Sequence, residues 1–485
     1  MNLEAVIGLE IHVQLNTKTK TFCGCSTDFG AAPNTHTCPV CLGLPGALPV
    51  FNREVLKKGV LAGLALNCEI CNYSVFARKN YFYPDLPKAY QISQLEHPLN
   101  RAGFVRITDD RGNDHRIGIT RAHLEEDAGK LVHDNDPKGS SFIDFNRCGV
   151  PLLEIVTEPD IRTPDEAYRF LAVIKEILQY TEVSECSMEK GELRVDVNVS
   201  LRERGEGTFG VKQEIKNLNS FANVKRALEY EIKRQSRLLR SGERLTQQTR
   251  LFDASKNATV SMRTKESAHD YRYFPDPDLV PVELSPEEID RIHETLPELP
   301  RERRRRMKTQ YGLTDYDVDV LCSSHRIARY FEESVREYKR PKKIANWIHT
   351  EVMRALHETG VDVDSFVVTP ARLRELFEIM DSGVISGKLA KAVFDEMVVT
   401  GETAAEVVER KGMKQLSNKE DIVNVVEAVL RDHTDVAEEY RSGKKKAFGF
   451  LVGQVMKRTG GKANPRIVNE LLKERLSVFP DSGGN

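Results

Sequence analysis

Long apolar segments are missing from this 485-residue sequence. No run approaches the ~20 apolar residues that span a membrane, and the N-terminal residues have a strand-like pattern instead of that of a signal peptide. The glycine-rich phosphate-binding motif GxxxxGK(S/T) is also missing. These absences argue against a membrane protein and against a P-loop nucleotide site, and we expect a cytoplasmic protein without a membrane partner.

An excess of either charge is lacking as well, since 71 Lys and Arg nearly balance 73 Asp and Glu. The whole molecule therefore does not predict a polyanionic partner, and any nucleic-acid surface must be local. The nine cysteines are an odd number, and several stand in CxC or CxxC spacing. This favours metal ligation in a reducing compartment over a disulfide framework. A chain of this length is too long for one core, and we expect two to four domains.

Two segments alternate strictly between apolar and polar residues, which is typical of half-buried β-strands. From Ile7 to Asn16 the polar face places Glu10 and His12 two residues apart, and the segment Leu193 to Arg202 repeats the alternation. A carboxylate beside an imidazole favours a metal site. The alternative is a solvent-facing strand with unrelated charges.

Further carboxylates occur where burial or mutual repulsion demands a partner. Glu125 belongs to a run of three consecutive acids, which repel one another unless a cation lies close. Glu154 lies in the apolar segment PLLEIV and must be paired, protonated or metal-bound. A strand over Val211 to Lys216 puts Glu214 and Lys216 on one side. We expect these polar strand faces to line one concavity.

Two close cysteine pairs on turn-rich backbone predict a structural zinc site with four thiolate ligands. The predicted ligands are Cys23, Cys25, Cys38 and Cys41. A further pair, Cys68 and Cys71, leaves two alternatives open. Either the tetrad mixes the pairs, or this pair consists of plain buried thiols, which is what we expect.

The segment Arg78 to Gln94 combines lysines and tyrosines with a turn fixed by Pro84 and Pro87. Proline fixes φ and removes a donor, so we expect a stiff loop with its polar groups, including Lys79 and Lys88, held outward. Such a loop suits a small-molecule site. The alternative is an ordinary surface turn.

The composition changes at about Glu283, and helical patterns follow one another from Ser285 onward. A second change falls near residues 402–414. From Arg441 to Asn485 ten Lys and Arg stand against three acids, a local balance of about +7. The predicted fold is therefore α+β. It consists of an N-terminal mixed or antiparallel β-sheet cradle with flanking helices (residues 1–292), an all-α domain (293–408) and a small all-α tail domain (409–485).

Five stretches of the sequence together resemble one protein family over essentially the full length of the chain. They are Gly8 to Leu15, Arg78 to Gln94, Leu193 to Ser200, Glu214 to Phe221 and Asp270 to Asp278. The family is GatB, the B subunit of the tRNA-dependent aspartyl/glutamyl amidotransferase. The resemblance implies a three-subunit enzyme, in which the A subunit, an amidase, releases ammonia from glutamine and a small C subunit holds the other two together. The B subunit uses ATP to activate the carboxylate of misacylated Glu-tRNA(Gln) or Asp-tRNA(Asn), and ammonia then gives the amide.

The resemblance also implies roles for the residues described above. Lys79 and Lys88 would neutralise phosphate oxygens, Tyr81 would orient the acyl group, and Glu125 would complete the catalytic set. The expected ATP contacts are Lys79, Lys88, Asn198, Lys216 and Arg263. The expected Mg²⁺ ligands are Glu10, His12, Glu125, Glu154, Asp196 and Glu214, because Mg²⁺ prefers hard oxygen ligands. The zinc held by the four cysteines would be structural, and the basic tail would hold tRNA.

Two other functions fit the sequence less well. A non-catalytic, zinc-stabilised RNA-binding protein is disfavoured because clustered carboxylates on the strand faces repel RNA phosphates unless metal is bound. An autonomous aminoacyl-tRNA synthetase is disfavoured because HIGH-like and KMSKS-like motifs are missing. Whether Glu-tRNA(Gln), Asp-tRNA(Asn) or both are substrates is left open by the sequence.

Overall fold

A computed structural model of the chain describes residues 2–132, 140–262, 271–412, 419–460, 463 and 465–478. The chain forms two compact units, Met1–Pro300 and Arg301–Asn485. The first contains the strands and the second is helical, so the predicted α+β class is confirmed. The described residues include no helix that is both long and apolar enough to cross a membrane.

Within the described residues, the first unit is built on sixteen strands and four helices. The strands are β1 (Leu3–Gln14), β2 (Glu69–Ile70), β3 (Tyr73–Ser74), β4 (Ala77–Asn80), β5 (Tyr90–Ser93), β6 (Asn100–Thr108), β7 (Asp114–Glu126), β8 (Lys130–Val132), β9 (Phe142–Asp144), β10 (Pro151–Thr157), β11 (Leu193–Glu203), β12 (Gln213–Leu218), β13 (Gln248–Asp253), β14 (Ala258–Ser261), β15 (Phe274–Pro275) and β16 (Val282–Glu283). The helices are α1 (Arg53–Ala65), α2 (Pro164–Tyr180), α3 (Phe221–Arg240) and α4 (Pro286–His293).

A nine-stranded sheet in the order β14-β13-β12-β11-β1-β10-β7-β6-β2 forms the cradle. Strand β1 lies in its middle and pairs antiparallel with both β10 and β11, while β12 and β13 pair in parallel. The apolar face of β1 is buried in the core with helices α2 and α3, as the alternation predicts. The polar residues of the same strands therefore lie together on the opposite face of the sheet.

The tyrosine-rich segment is less loop-like than predicted. Its two flanks form β4 and β5, which pair with each other, and β4 also pairs with β15. Only residues 81–89 connect them as a loop, because the prolines that prevent strand pairing lie at 84 and 87. Arg78 joins the two family motifs through ion pairs with Asp276 at 2.8 Å and Asp278 at 2.7 Å.

The second unit has two hydrophobic cores, one formed between Met307 and Val408 and the other between Ile422 and Leu476. Its helices are α5 (Pro300–Tyr311), α6 (Asp315–Leu321), α7 (His325–Tyr338), α8 (Pro341–Trp347), α9 (Met353–Thr359), α10 (Pro370–Asp381), α11 (Gly387–Thr400), α12 (Ala404–Arg410), α13 (Lys419–Asp432), α14 (Thr434–Arg441), α15 (Lys445–Arg458) and α16 (Pro465–Val478). A π-helical turn, Ile348–Val352, joins α8 to α9, and a 3-10 turn covers Val363–Ser365. The domain boundaries inferred from composition stay a prediction.

Candidate functional site

Three side chains from neighbouring strands meet on the polar face of the cradle. His12 on β1 stands opposite Glu154 on β10, and Glu125 lies on β7, the next strand. His12 Nε2 is 3.3 Å from Glu154 Oε2 and 3.4 Å from Glu125 Oε1. One ligand atom of each residue lies within 4.8 Å of the other two. We call this group the metal triad, because two carboxylates and an imidazole at this spacing suit a divalent cation that keeps water ligands.

The electrostatics of the metal triad favour a bound cation. Glu125 is almost completely buried, and burial together with the charge of Glu154 raises its pKa to about 7. Burial also opposes ionisation of Glu154, but the hydrogen bond with His12 and the positive charges nearby outweigh burial and hold the pKa of this carboxyl below its ordinary value. Burial lowers the pKa of His12, but the carboxylates of Glu154 and Glu125 raise it by more, so the pKa lies above its ordinary value. A divalent cation would relieve the repulsion between the two acids.

His123 belongs to this site, although the sequence analysis did not single it out. It stands opposite Glu154 across β7 and β10, and its Nε2 lies 3.6 Å from Glu154 Oε2. Burial lowers the pKa of His123 to about 4, so it is neutral at pH 7. Its Nδ1 has no hydrogen-bond partner within the described ranges. The sequence does contain a pattern that could have identified His123. It stands two residues before Glu125, so both side chains lie on one face of the strand, and Glu10 and His12 have the same spacing.

Lys79 and Tyr81 extend the site on the side of β4. The Lys79 ammonium lies 5.0 Å from the ring centre of Tyr271 and 6.0 Å from that of Tyr81. Burial works against its charge, but the carboxylate of Glu125 and other nearby groups outweigh burial and raise the pKa of Lys79. Burial raises the pKa of Tyr81 to about 12, so its phenol keeps its proton. The site thus combines the metal triad with a cation and a hydroxyl donor.

Lys88 has a different environment from Lys79. Its ammonium forms an ion pair with buried Glu126, which also accepts a hydrogen bond from the Ile92 amide at 3.0 Å. Successive side chains of β7 point to opposite faces, so Glu126 lies on the side of the sheet away from Glu125. The structure therefore brings Lys79 to the metal triad and does not bring Lys88 there. The nucleotide contact predicted for Lys88 stays a prediction.

The other predicted ligands form a second polar group on the same face. Lys216 Nζ lies 2.6 Å from Asp196 and 2.9 Å from Glu214. Asn198 donates a hydrogen bond to Glu10 at 2.8 Å. These three carboxylates are already partnered and fall outside the group of ligand atoms that can reach one ion with His12. Arg263, the remaining predicted nucleotide contact, lies outside the described residues.

A cavity of about 260 Å³ continues this face along β1 and β11. Its lining is mainly apolar and includes Gly8, Glu10, Asn198, Phe209 and Lys212. Asn198 Oδ1 is buried and has no hydrogen-bond partner among the residues described. The cavity thus offers an apolar surface and an unused acceptor beside the second polar group.

The four cysteines of the predicted zinc site converge. One sulfur from each of Cys23, Cys25, Cys38 and Cys41 lies within 4.8 Å of the others. Tetrahedral zinc with ~2.3 Å bonds to sulfur requires sulfurs about 3.8 Å apart, so this cysteine cluster fits the ion. A hydrogen bond from Cys23 lowers the pKa of Cys41 to about 4, which supplies one thiolate at neutral pH.

The second cysteine pair lies elsewhere, beside β2. Burial raises the pKa of Cys68 to about 12 and also raises that of Cys71. In the described part of the chain these two belong to no group of three potential ligands. Both are half-buried instead of fully buried, and their assignment as plain thiols stays a prediction.

A mixed sheet that brings two buried carboxylates, two imidazoles and a lysine together on one face is typical of a class of protein, the enzymes that act on anionic substrates. Sequence comparison identifies the family within that class. The GatB/GatE catalytic domain matches residues 5–290, and the GatB domain matches residues 329–476. The chain belongs to the GatB family, the B subunits of aspartyl/glutamyl-tRNA(Asn/Gln) amidotransferases, as the resemblance in the sequence predicts.

Individual relatives match along their whole length. The chain is 54% identical over 477 residues to the aspartyl/glutamyl-tRNA(Asn/Gln) amidotransferase B subunit of Thermoanaerobacter sp. (strain X514), covering 98% of this chain and 100% of the relative. The proteins of the same name from Carboxydothermus hydrogenoformans and Geotalea daltonii are 52% and 53% identical, with at least 98% of each chain covered. None of these similarities supports a non-catalytic RNA-binding protein.

Proposed function

We propose that this chain uses ATP to activate the side-chain carboxylate of Glu-tRNA(Gln) or Asp-tRNA(Asn), and that it then directs ammonia onto the activated group. The observation that carries the proposal is the metal triad next to Lys79, in a chain of the GatB family. The ammonia would come from glutamine through the amidase of the complex, its A subunit, with a small C subunit holding the cytoplasmic complex together.

The reaction needs activation because a carboxylate would have to expel oxide, a very poor leaving group. In the proposed first step the carboxylate oxygen attacks the γ-phosphorus of ATP, and ADP leaves. In the second step the ammonia nitrogen attacks the acyl carbon, the bond to the phosphate oxygen breaks, and a proton is lost from nitrogen. The products are the amide, ADP and inorganic phosphate.

The residues of the site suit this chemistry. His12, Glu125 and Glu154 would hold Mg²⁺, which when bound supplies charge neutralisation for the ATP and carboxylate oxygens. The Lys79 ammonium would pair with a phosphate oxygen, and the Tyr81 hydroxyl would donate a hydrogen bond to the acyl oxygen. Neutral His123 would keep Glu154 in its ligating orientation.

The cavity beside Asn198 suits the nucleoside part of ATP. From His12 to Gly8 the strand advances about 13 Å, a distance comparable with an extended triphosphate and ribose. Phe209 in the lining offers an aromatic surface for a base, and Asn198 Oδ1 offers an acceptor for an exocyclic amino group. The nucleotide would thus lie along β1 with its phosphates toward the metal triad.

Replacing Glu125 by Gln tests the proposal, because the change keeps the shape of the side chain and removes a ligand charge. In the complex with its partner subunits, Glu125→Gln should abolish ATP-dependent amide formation and ADP release while glutamine hydrolysis by the amidase persists. Glu69→Gln, on an exposed ion pair with Arg101, is the matched control and should retain activity. Full activity of Glu125→Gln at limiting Mg²⁺ would remove Glu125 from the mechanism.

A further inference from the structure

A lysine lies completely buried beside the cysteine cluster. Lys20 has 0% of its surface exposed. Its ammonium donates hydrogen bonds to the carbonyl of His36 at 2.7 Å, to that of Phe145 at 3.5 Å and to Cys41 Sγ at 3.7 Å. The first and third of these partners belong to the loop that holds the cluster, and the second belongs to the segment before β10.

Burying an ammonium is unfavourable unless a negative charge lies close. Two of the three partners of Lys20 are neutral carbonyl oxygens. In the part of the chain that the structure describes, its ammonium forms no ion pair with a carboxylate. The third partner, the Cys41 sulfur, is the one that can carry charge as a thiolate. Among the hydrogen-bond partners of the Lys20 ammonium, the cysteine cluster therefore supplies the group that can carry negative charge.

We infer that Lys20 is the countercation of a tetrathiolate metal centre formed by Cys23, Cys25, Cys38 and Cys41. Four thiolates around one divalent zinc ion leave a net charge of about −2, which costs free energy in a buried setting. The ammonium offsets part of this charge and donates a hydrogen bond to a ligand sulfur. Lys20 thus stabilises the loaded centre without ligating the ion, as outer partners of metal ligands do.

The inference rests on the proposed occupancy of the cysteine cluster by metal, and it is tested on the full-length chain with zinc and cobalt. Lys20→Met removes the charge and keeps most of the side-chain volume. It should weaken zinc affinity about 10–100-fold, measured by chelator competition, and shift the sulfur-to-cobalt charge-transfer band of the Co²⁺-loaded protein. Asn146→Ala is the matched control. Asn146 ties the same loop by accepting from the His36 amide at 2.8 Å and donating to the Ala32 carbonyl at 2.7 Å, but it is uncharged.

Three outcomes distinguish an electrostatic role of Lys20 at the metal centre from a purely structural role in holding the loop. Loss of metal affinity in Lys20→Met with wild-type affinity in Asn146→Ala supports the inference. Unchanged affinity and cobalt spectrum in Lys20→Met, or equal losses in both variants, overturns it. Wild-type protein that binds no metal would instead overturn the proposed occupancy of the cluster, so the two failures are distinguishable.

A double-mutant cycle covers the case in which Lys20→Met folds poorly. The loss of thermal stability caused by Lys20→Met is compared in the wild-type and Cys41→Ser backgrounds. If Lys20 is the countercation of the thiolates, the loss is smaller when Cys41 is already absent. Equal losses in both backgrounds would contradict the inference.

Discussion

His123 lies beside the metal triad on the polar face of β7. It is buried, neutral and 3.6 Å from a ligand carboxylate. We predict that His123→Ala raises the Mg²⁺ concentration needed for half-maximal amidation about 10–100-fold, because Glu154 loses the group that orients it. His115→Ala, on the exposed part of the same strand, serves as the control and should leave the Mg²⁺ titration unchanged. Equal titrations for His123→Ala and the wild type would contradict the assignment.

Glu231 is a buried carboxylate with a structural role, in contrast to the carboxylates of the metal triad. It has 0% of its surface exposed and accepts from Arg234 at 3.0 Å and from Thr259 at 2.8 Å, with Arg250 at 3.5 Å. Glu231→Ala leaves two arginines without their anion and should destabilise the first unit by about 3–5 kcal/mol.

Hydrogen exchange in α3 and β13 measures this loss locally, without assuming that the whole chain unfolds in one step. Asp165→Asn is the comparison, since it breaks an exposed pair with Lys225 and should cost about 0–1 kcal/mol. A loss for Glu231→Ala no larger than that for Asp165→Asn would show that the buried network is energetically unimportant.

The residue types at the site were predictable, but their grouping was not. Alternation along one strand identifies Glu10, His12 and Asp196 as polar-face residues, and it cannot tell which strand lies next to which. The sheet order places β10 and β7 on one side of β1 and β11 on the other. Glu154 and Glu125 therefore join His12, while Asp196 lies on the other side and pairs with Lys216. The order of strands in the sheet decides which side chains meet, and the residue pattern of a single segment does not contain that order.

At the scale of elements, the loop that holds the cysteine cluster has little regular structure of its own. Residues 15–52 contain neither helix nor strand, apart from an isolated bridge between Thr19 and Ser26. We predict that Cys38→Ser lowers the bound zinc and increases proteolytic cleavage within this loop, because a structural zinc ion supplies folding energy of order 10 kcal/mol in small motifs. Zinc content and limited proteolysis measure the two effects.

Cys68→Ser is the control for the loop, because Cys68 belongs to no group of three ligands among the described residues. It should retain full zinc content. A metal-free wild-type protein with an ordered, protease-resistant loop would show that the elements around it, and not zinc, hold it in place.

The loop also lies close to Lys88. Gly43 has φ of +66°, and a Cβ at this position would lie 2.4 Å from Lys88 Cγ. This contact could not be predicted from the sequence, because nothing in the residues around Gly43 identifies Lys88 as a neighbour in the fold. The sequence predicted the cysteine cluster because its ligands are local, and missed this contact because the partners lie 45 residues apart.

At the scale of the whole molecule, the net charge of the tail domain is closer to zero than its last residues suggest. Residues 419–440 contain two basic and seven acidic residues, which offset most of the +7 that follows. Three of the basic side chains pair with these acids: Lys444 with Glu439, Arg458 with Asp432 and Arg475 with Glu427. Any tRNA contact of the tail therefore has to use the remaining cations or break these exposed pairs.

We predict that deleting residues 414–485 weakens binding of misacylated tRNA and leaves the cradle folded, because the tail has a hydrophobic core of its own. KM for the tRNA should rise much more than kcat falls, as expected when uniform binding is removed. Removing one phosphate interaction should reduce the slope of log affinity against log salt by about one unit. Steady-state kinetics of the complex at several salt concentrations measures all three.

Neutralising Lys445 and Lys446 together, with the tail otherwise intact, is the matched variant for this deletion. It should reproduce part of the change in salt slope without removing the fold of the tail. A deletion that lowers kcat at saturating tRNA and leaves KM and the salt slope unchanged would make the tail part of the catalytic machinery.

The central position of β1 has a consequence for synthesis in the cell. This strand leaves the ribosome before its two neighbours in the sheet, β10 and β11, which begin more than 130 residues later. At translation rates of 5–20 residues per second, β1 waits on the order of ten seconds before either partner exists. During that interval its apolar face and both backbone edges are open to pairing with other nascent chains. The strand that contributes the histidine of the metal triad is therefore exposed to mispairing until β10 and β11 have been synthesised.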